Sequence, residues 1–454
     1  MVPERWQDAS DWAYDAKRYR RSTALNRVLI ALAVVIAAVR LQPSATVVIE
    51  LPHNDVLVDE SIPIVVSGLE PKAVVTVRAR SGANDNPWMS SAAFMTDAAG
   101  RIDLTRMAPD AGSYKEVDPM GLFWSASRVS ADEADPSDDG RVLLTSESWT
   151  LTVETGGSVV ATARIRRRAV APGVRVIPVR DNGLVGSFYE PTGPGRHPAF
   201  LVLGGSAGGV PPPLGPAGGL ASHGYAVLSL AYFRASGLPP TLSNIPLEYF
   251  AAALKWMSAQ PSVDPSRVGV VGLSRGAELA LLLGTIHPDF HAVVAYMPSN
   301  VIVRGCCDAG TPVAWTLSGR AVASAPSPPT RRSRTTDRPE IPVERINGAV
   351  LLVSGRDDEV WPSTEMGDAI MARLRQHRFA RPFVHLAYDH AGHGIGRPFT
   401  STMELNSRRH PLTGRIMRMG GTPPATARAR ADSWRRMLAF VDEHLRNSGN
   451  PGRH

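Results

Sequence analysis

The stretch Val268-Gly-Val-Val-Gly-Leu-Ser-Arg-Gly276 is an apolar run that passes directly into a helical segment, about Gly276 to Leu283. A Gly-x-Ser-x-Gly pattern at such a junction is typical of a sharp strand-to-helix turn that holds its serine in a strained, exposed conformation. The flanking glycines avoid collisions between side chains and neighbouring backbone. An ordinary glycine-serine loop can carry the same pattern, but the strand before and the helix after favour Ser274 as a candidate nucleophile.

Strands and helices alternate on both sides of this turn. The expected strands are Ala199 to Leu203, Tyr225 to Leu230, Val268 to Leu273, Ala292 to Tyr296, Ala349 to Ser354 and Phe383 to Tyr388. The expected helices cover about 247–259, 276–283, 365–375 and 425–446. A hairpin signal, Asp181-Asn182-Gly183, precedes them. The alternation predicts a mostly parallel sheet flanked by helices over residues 174–446.

Residues 46–168 have a different texture, with short alternating apolar runs separated by turn residues. The runs are Thr46 to Leu51, Ile62 to Val66, Val74 to Arg80, Ile102 to Leu104, Trp149 to Val153 and Val159 to Ile165. Several short strands at this spacing predict a β-sandwich of immunoglobulin-like size. Ala169 to Gly173, which contains Pro172 and follows three arginines, is the expected linker to the second domain.

The composition is that of a folded globular chain. The 454 residues allow two or three domains, and 43% hydrophobic with 20% charged residues argues against a mainly disordered, collagen-like or polytopic membrane protein. The formal net charge is +7, but the basic residues, nearly all arginines, are scattered instead of forming one stripe interleaved with aromatic residues. We therefore expect no nucleic-acid partner. A basic surface suits an anionic small substrate, although net charge alone does not identify one.

The N-terminal extension, residues 1–45, contains an uninterrupted apolar run, Val28 to Val39. A bilayer-spanning helix needs roughly 20 residues, so a stable membrane span is not expected. The run resembles the apolar part of a signal peptide, but several acidic residues precede it, which such leaders usually lack. We predict a cytoplasmic protein, with export or membrane anchoring through 28–39 as the alternative, and a short tail at 447–454.

The two cysteines, Cys306 and Cys307, are adjacent, so a bond between them could not link distant parts of the fold. We expect these thiols to be incidental. No metal-ligand spacing accompanies them. We predict neither a metal ion nor another cofactor, and the sequence leaves the oligomeric state open.

A candidate acid follows the serine in the chain, in the loop Gly355-Arg-Asp-Asp-Glu-Val-Trp-Pro362. This loop comes directly after an expected strand, at the position where the acidic member of a catalytic triad is found in such sheets. Asp358 is the preferred residue and Asp357 is the rival. A solvated acidic turn is the structural alternative.

A candidate base follows the next expected strand, in Tyr388-Asp-His-Ala-Gly-His393-Gly394. His393 lies between two glycines that let the loop approach the nucleophile, and His390 is the runner-up. A serine hydroxyl is a weak nucleophile until a base accepts its proton, and that base needs an anion to orient it. The chain order Ser274, Asp358, His393 predicts an α/β-hydrolase triad.

Backbone N–H groups must also stabilise the oxyanion that develops when a serine attacks a carbonyl group. Arg275, directly after the nucleophile, supplies the first candidate donor. The glycine-rich segment Leu203 to Gly209 follows an early strand and supplies the second, at Gly205 or Ser206. Its spacing matches neither a P-loop nor a dinucleotide-binding fingerprint, which argues against phosphate binding.

From about Thr46 to Arg446 the chain resembles one family, the type I acyl-CoA thioesterases and the bile acid-CoA:amino acid N-acyltransferases. The motifs that carry the resemblance occur in the family's order across both domains. They are Pro119-Met-Gly-Leu-Phe-Trp124, Leu230-Ala-Tyr-Phe233, Gly272-Leu-Ser-Arg-Gly-Ala-Glu-Leu279, Ile341-Pro-Val-Glu344, Ser354-Gly-Arg-Asp-Asp358 and Gly392-His393. The resemblance implies a β-sandwich followed by an α/β-hydrolase domain, with Ser274, Asp358 and His393 as the matched triad.

The resemblance also implies an acyl-CoA substrate and a role in fatty acid metabolism. The acyltransferase branch uses cysteine at the nucleophile position, so Ser274 favours thioester hydrolysis by a serine mechanism. Family members commonly have lysine where this chain has Arg275, which should spare the backbone donor. The segments Ser318 to Pro339 and Arg397 to Pro424 match no family pattern, so acyl length cannot be inferred.

Three other functions remain open at this point. A carboxylesterase or dienelactone-hydrolase-like enzyme would use the same triad on oxygen esters. An acyl-CoA:amino acid N-acyltransferase would pass the acyl group to an amine instead of water. A non-catalytic binding module would need a broken triad, and none of its three positions is substituted in this sequence.

Overall fold

The computed structural model describes residues 46–82, 86–128, 146–307, 310–325, 339–396, 398–407 and 409–446. The expectations for the extension 1–45, including the apolar run 28–39, and for the tail 447–454 lie outside these residues. Among the helices in the described ranges, none has both the length and the apolar character that crossing a membrane requires.

An eight-stranded sheet forms the second half of the chain. Its strands, in spatial order, are Arg175–Asp181, Leu184–Glu190, Ala226–Ala231, His197–Leu203, Val263–Leu273, Phe290–Tyr296, Ala349–Gly355 and Phe383–Tyr388. The first two pairings are antiparallel and the other five are parallel. The predicted hairpin turn is present, with positive φ at Asn182 and Gly183. This is the α/β-hydrolase architecture that the sequence predicts.

Helices cover both faces of this sheet. They are Pro216–Ser222, Glu248–Ser258, Arg275–Ile286, Ser363–Gln376 and Pro423–Val441, the last continued by a π-helical turn, Asp442–Arg446. Alternate residues of one strand are buried in different apolar clusters. Leu201 and Leu203 belong to one cluster, and Phe200 and Val202 belong to the other. Burial on both faces explains why the strands read as continuous apolar runs. A small separate sheet consists of Ile245–Pro246, Trp315–Leu317 and Arg320–Ala321.

The first half of the described chain forms two sheets. One contains Val48–Glu50, Val65–Ser67 and Ile102–Asp103. The other contains Asp55–Leu57, Ser158–Arg168, Ser146–Thr155, Val74–Ser81, Trp88–Met95 and Ala111–Gly112, with Ser127–Arg128 paired to Trp88–Met95. A short helix, Gly121–Trp124, contains part of the family signature. The closer description of this domain as immunoglobulin-like stays a prediction.

The sequence does not predict four of the strands described for this domain. Trp88–Met95 is the longest, and its inward positions include Ser90 and Ala92, which are buried. Small residues at inward positions hide the alternation of apolar and polar residues that identifies a strand. The other three, Asp55–Leu57, Ala111–Gly112 and Ser127–Arg128, are two or three residues long and are too short to show a period.

The expected linker, Ala169 to Gly173, is packed and is not a free tether. Ala169 and Val170 are buried in the same apolar cluster as Tyr189 and Ala221 of the second domain. The backbone N–H of Ala171 donates to Ser222 Oγ at 2.8 Å. Within the described residues, the chain from Val48 to Arg446 forms one compact unit.

Candidate active site

Ser274 occupies the turn between the strand Val263–Leu273 and the helix Arg275–Ile286. Its backbone has φ 56° and ψ −117°, a strained conformation that points to a functional constraint. A Cβ on Gly272 would lie 1.9 Å from the carbonyl oxygen of Gly276, and a Cβ on Gly276 would lie 2.4 Å from that of Gly204. Both glycines are therefore required by close backbone approach, as the sequence predicts.

The structure brings Ser274, His393 and Asp358 together in one hydrogen-bonded series. His393 Nε2 is 2.8 Å from Ser274 Oγ, and His393 Nδ1 is 2.7 Å from Asp358 Oδ2. The side chains of the acid and the base are almost fully buried. The Trp361 ring packs edge-to-face against the His393 ring, with the centroids 5.6 Å apart. This arrangement can transfer a proton from the serine to the histidine while the carboxylate fixes the orientation of the ring.

Four hydrogen-bond donors surround the Asp358 carboxylate. Oδ2 accepts from Ser363 Oγ at 2.6 Å as well as from His393. Oδ1 accepts from the backbone N–H groups of Val360 and Trp361, at 2.9 and 3.2 Å. A buried carboxylate is destabilised unless its oxygens are hydrogen-bonded, and these donors meet that need.

The rival residues Asp357 and His390 pair with each other instead. His390 Nδ1 is 3.3 Å from Asp357 Oδ2, and both side chains are exposed, at 75% and 47%. The structure brings neither of them to Ser274. Asp357 and Asp358 are adjacent, but only Asp358 turns inward.

The glycine-rich segment after the strand His197–Leu203 passes directly beside the nucleophile. A Cβ on Gly205 would lie 3.3 Å from Ser274 Cβ and 3.8 Å from Ser274 Oγ. The hydroxyl of Tyr232 donates to the Gly204 carbonyl at 2.6 Å and holds the segment in place. Arg275 is the first residue of its helix, and the first backbone N–H groups of a helix have no partner within it.

The Arg275 side chain is buried and makes contacts inside the second domain. Its Nη2 donates to the Val303 carbonyl at 2.7 Å, and its Nη1 is 3.4 Å from Glu278 Oε2. Trp315 Nε1 donates to the other Glu278 oxygen at 3.0 Å. Burial raises the pKa of Glu278, while Arg275 opposes that rise. The Arg275 side chain therefore forms a buried ion pair with Glu278.

Ser206 contacts a histidine that the sequence analysis did not single out. Ser206 Oγ is 3.0 Å from His410 Nε2, and the Leu412 N–H donates to His410 Nδ1 at 3.3 Å. Burial, followed by the charge of Arg234, lowers the pKa of His410. Because the Leu412 N–H donates to Nδ1, a neutral ring has its proton on Nε2 and can donate it to Ser206 Oγ.

Cys306 and Cys307 lie side by side with their sulfurs in contact, so they still link no distant parts of the fold. Cys307 Sγ is 3.8 Å from His410 Nε2, and the ligand atoms of the three residues lie within 4.8 Å of one another. These groups are close enough to share a metal ion.

Three supporting residues near the triad could not be identified from the sequence. Trp361 and Ser363 belong to the same loop and helix start as Asp358, and only the position of that loop after a strand hinted at them. His410 falls in a stretch without a recognisable pattern. Its role depends on a fold that brings residues 206 and 410 together.

The comparisons with known proteins agree across both domains. The profile described as "Acyl-CoA thioester hydrolase/BAAT N-terminal region" matches residues 59–181, and that described as "BAAT / Acyl-CoA thioester hydrolase C terminal" matches residues 245–447. Acyl-coenzyme A amino acid N-acyltransferase 1 of Mus musculus is 32% identical over 88% of this chain and 98% of its own length.

Two thioesterases show similar values. Acyl-coenzyme A thioesterase 6 of Mus musculus is 32% identical over 87% of this chain and 96% of its own length. Acyl-coenzyme A thioesterase 1 of Homo sapiens is 30% identical over 88% of this chain and 97% of its own length. These relatives are enzymes of both branches that the motifs suggest. With both halves matched in order and a Ser–His–Asp series at the expected edge of the sheet, the chain belongs to the acyl-CoA thioester hydrolase/BAAT family.

Proposed function

We propose that this protein is an acyl-CoA thioesterase that hydrolyses a fatty acyl-CoA, or a related acyl thioester, to the free acid and CoA. The observation that carries the proposal is the pair of contacts made by His393, whose Nε2 is 2.8 Å from Ser274 Oγ and whose Nδ1 is 2.7 Å from Asp358 Oδ2. Serine at the nucleophile position supports hydrolysis, because the acyltransferase branch uses cysteine there. The acyltransferase and the thioesterase relatives have similar sequence identity to this chain, so the type of nucleophile is the feature that distinguishes hydrolysis from acyl transfer.

In the proposed first step, Ser274 Oγ attacks the thioester carbonyl carbon while His393 Nε2 accepts the hydroxyl proton. The backbone N–H of Arg275, together with that of Gly205 or Ser206, stabilises the developing oxyanion. The carbon–sulfur bond then breaks, and the departing CoA thiolate takes the proton from His393, which returns the ring to its neutral form. Asp358 keeps the His393 ring oriented and stabilises its positive charge.

In the proposed second step, His393 removes a proton from a water molecule, and the resulting hydroxide attacks the acyl-enzyme. The ester bond to Ser274 breaks, the serine recovers its proton from His393, and the fatty acid leaves. A thioester has a good leaving group, so the triad and the oxyanion donors are sufficient for this chemistry.

A ladder of acyl-CoA substrates of increasing chain length tests the proposal. The release of CoA thiol is followed for each substrate, with and without glycine or taurine as acyl acceptors. The same enzyme is assayed with p-nitrophenyl esters. We expect acyl-CoA turnover that is unaffected by the amines and more efficient than ester turnover.

Ser274→Ala is the matched variant, and it should lower kcat by at least about 10³-fold while leaving the fold intact. Near-normal turnover by Ser274→Ala would reject the nucleophile. Amide products in the presence of glycine or taurine would assign the protein to acyl transfer. A preference for p-nitrophenyl esters would favour a carboxylesterase.

A further inference from the structure

Arg430 links the loop of His393 to the segment that follows it in the chain. This arginine lies on the helix Pro423–Val441 and is buried. Its Nε donates to the carbonyl of Gly394, the residue after His393, at 2.6 Å. Its Nη1 contacts the Thr400 carbonyl, the Thr400 hydroxyl and the Ser401 carbonyl, each at 3.1 Å. One guanidinium group thus joins the histidine loop to the bridging segment, residues Phe399 to Leu405.

The first domain holds this bridging segment from the other side. Ser401 Oγ donates to the Ala126 carbonyl at 2.6 Å, and the Thr402 N–H donates to the Trp124 carbonyl at 3.0 Å. Arg167 Nη2, which is buried, donates to the Phe399 carbonyl at 2.9 Å. Both Trp124 and Ala126 lie at or just after the short helix that contains the family signature.

The histidine loop also packs directly against the bridging segment. A Cβ on Gly394 would lie 2.7 Å from Leu405 Cδ1, so the two stretches of backbone are separated by little more than one side chain. The carbonyl of Gly394 is therefore held by Arg430, and its Cα faces Leu405.

We infer that Arg430 is a positioning residue that couples the β domain to the catalytic histidine, an inference that rests on the proposed role of His393 as the base. Proton transfer from Ser274 requires His393 Nε2 at hydrogen-bond distance, and a displacement of about 1 Å can cost roughly 10²-fold in rate. The hydrogen bonds of Arg430 connect the backbone next to His393 to a segment that the first domain anchors. The first domain is in this way part of the machinery that orients the base.

Arg430→Met removes these hydrogen bonds but keeps most of the side-chain volume. We expect kcat for palmitoyl-CoA to fall about 10- to 100-fold while KM stays within about 3-fold. The rate of covalent labelling of Ser274 by a fluorophosphonate should fall by a similar factor. That reaction needs an activated serine but no bound acyl-CoA, so it separates positioning of the base from substrate binding. Arg430→Lys should recover part of the loss, because its ammonium can still donate to the Gly394 carbonyl.

Arg267→Met is the matched control. Arg267 donates to Asp264 and to the Arg446 carbonyl, at the end of the strand Val263–Leu273 opposite Ser274. We expect this variant to lower Tm without changing kcat or the labelling rate. Ser401→Ala, which loses one bond to the first domain, should lower kcat about 2- to 5-fold with KM unchanged.

The inference is overturned if Arg430→Met keeps the wild-type kcat and labelling rate, or loses them only in proportion to its unfolded fraction measured by circular dichroism. Should Arg430→Met not fold, Arg430→Lys and Ser401→Ala decide in the same way, and unchanged kcat in both rejects the inference. A wild-type protein that is labelled by the fluorophosphonate but hydrolyses no acyl-CoA rejects the proposed substrate instead. In that case the labelling rates of the variants still test Arg430.

Discussion

Asp358→Asn tests the assignment of the acid because an amide cannot replace all the contacts of the carboxylate. Asp358 accepts hydrogen bonds on both oxygens, from His393 and Ser363 on one and from the Val360 and Trp361 N–H groups on the other. Asparagine has one acceptor oxygen and one NH₂ donor. The NH₂ group of asparagine must therefore point at one of the two sets of donors, where the carboxylate had an accepting oxygen.

The two orientations of the amide differ in their cost. With its NH₂ toward the backbone, the side chain leaves two N–H donors unpaired, and the buried one, of Trp361, costs about 1–3 kcal/mol. With its oxygen toward the backbone, the NH₂ faces His393 Nδ1, which must then be unprotonated. The ring proton moves to Nε2, the atom that has to accept the proton of Ser274. We expect this second orientation to prevail, because a histidine can change its tautomer more readily than two backbone groups can lose their partner.

The expected loss in kcat is about 10³- to 10⁴-fold, which corresponds to roughly 4 to 5.5 kcal/mol in the activation barrier. The assay is the release of CoA thiol from palmitoyl-CoA under saturating conditions. Asp357→Asn is the matched control one residue away. Its side chain is about half exposed and pairs with the surface residue His390, so kcat of this variant should stay within about 3-fold of wild type. An Asp357→Asn variant that loses more activity than Asp358→Asn would refute the tautomer argument and exchange the roles of the two acids.

Two further predictions concern stability. A Cβ at residue 272 would meet the Gly276 carbonyl oxygen at 1.9 Å, so Gly272→Ala should lower the free energy of unfolding by about 3 kcal/mol or more. A denaturant titration that shows less than about 1 kcal/mol would contradict that contact. His223 of the second domain is 2.7 Å from Asp59 of the first, and this hydrogen bond raises the pKa of His223 above its ordinary value of 6.5. Because the folded-state pKa is the higher one, the pair stabilises the fold fully below pH 6.5 and loses its effect as the pH rises through the folded-state pKa. The difference in Tm between wild type and His223→Gln should therefore shrink between about pH 5.5 and 9, and a difference that stays constant would argue against the pair.

Much of the site follows from the sequence because its main parts lie where strands end. The loops of Ser274, Asp358 and His393 each follow a strand with a strong apolar signal, and parallel strands place their carboxyl ends at one edge of the sheet. The same reasoning preferred Asp358 but left Asp357 as a rival, since adjacent residues share that location and differ in which way their side chains turn. In the structure that choice depends on the donors from Val360, Trp361 and Ser363.

Other contacts had no local signal. Arg430 reaches Gly394 across 36 residues, and His410 reaches Ser206 across 204. Nothing in the sequence around either residue distinguishes it from the many scattered arginines or from an ordinary loop histidine. Trp88–Met95 was missed for a different reason, because its buried serine and alanine positions look polar or neutral in a linear pattern. Contacts of this kind appear only once the topology is known.

The buried connection at Ala169 and Val170 has a consequence for how the two halves of this chain can change. Val58 of the first domain and Tyr189 of the second share one apolar cluster with the connection. Cleavage of the chain here would expose apolar surface on both fragments. Residues inserted here would displace Ala169 and Val170 from the apolar cluster. A substitution in this cluster must therefore fit the side chains that the other half of the chain contributes, so the two halves cannot change independently here.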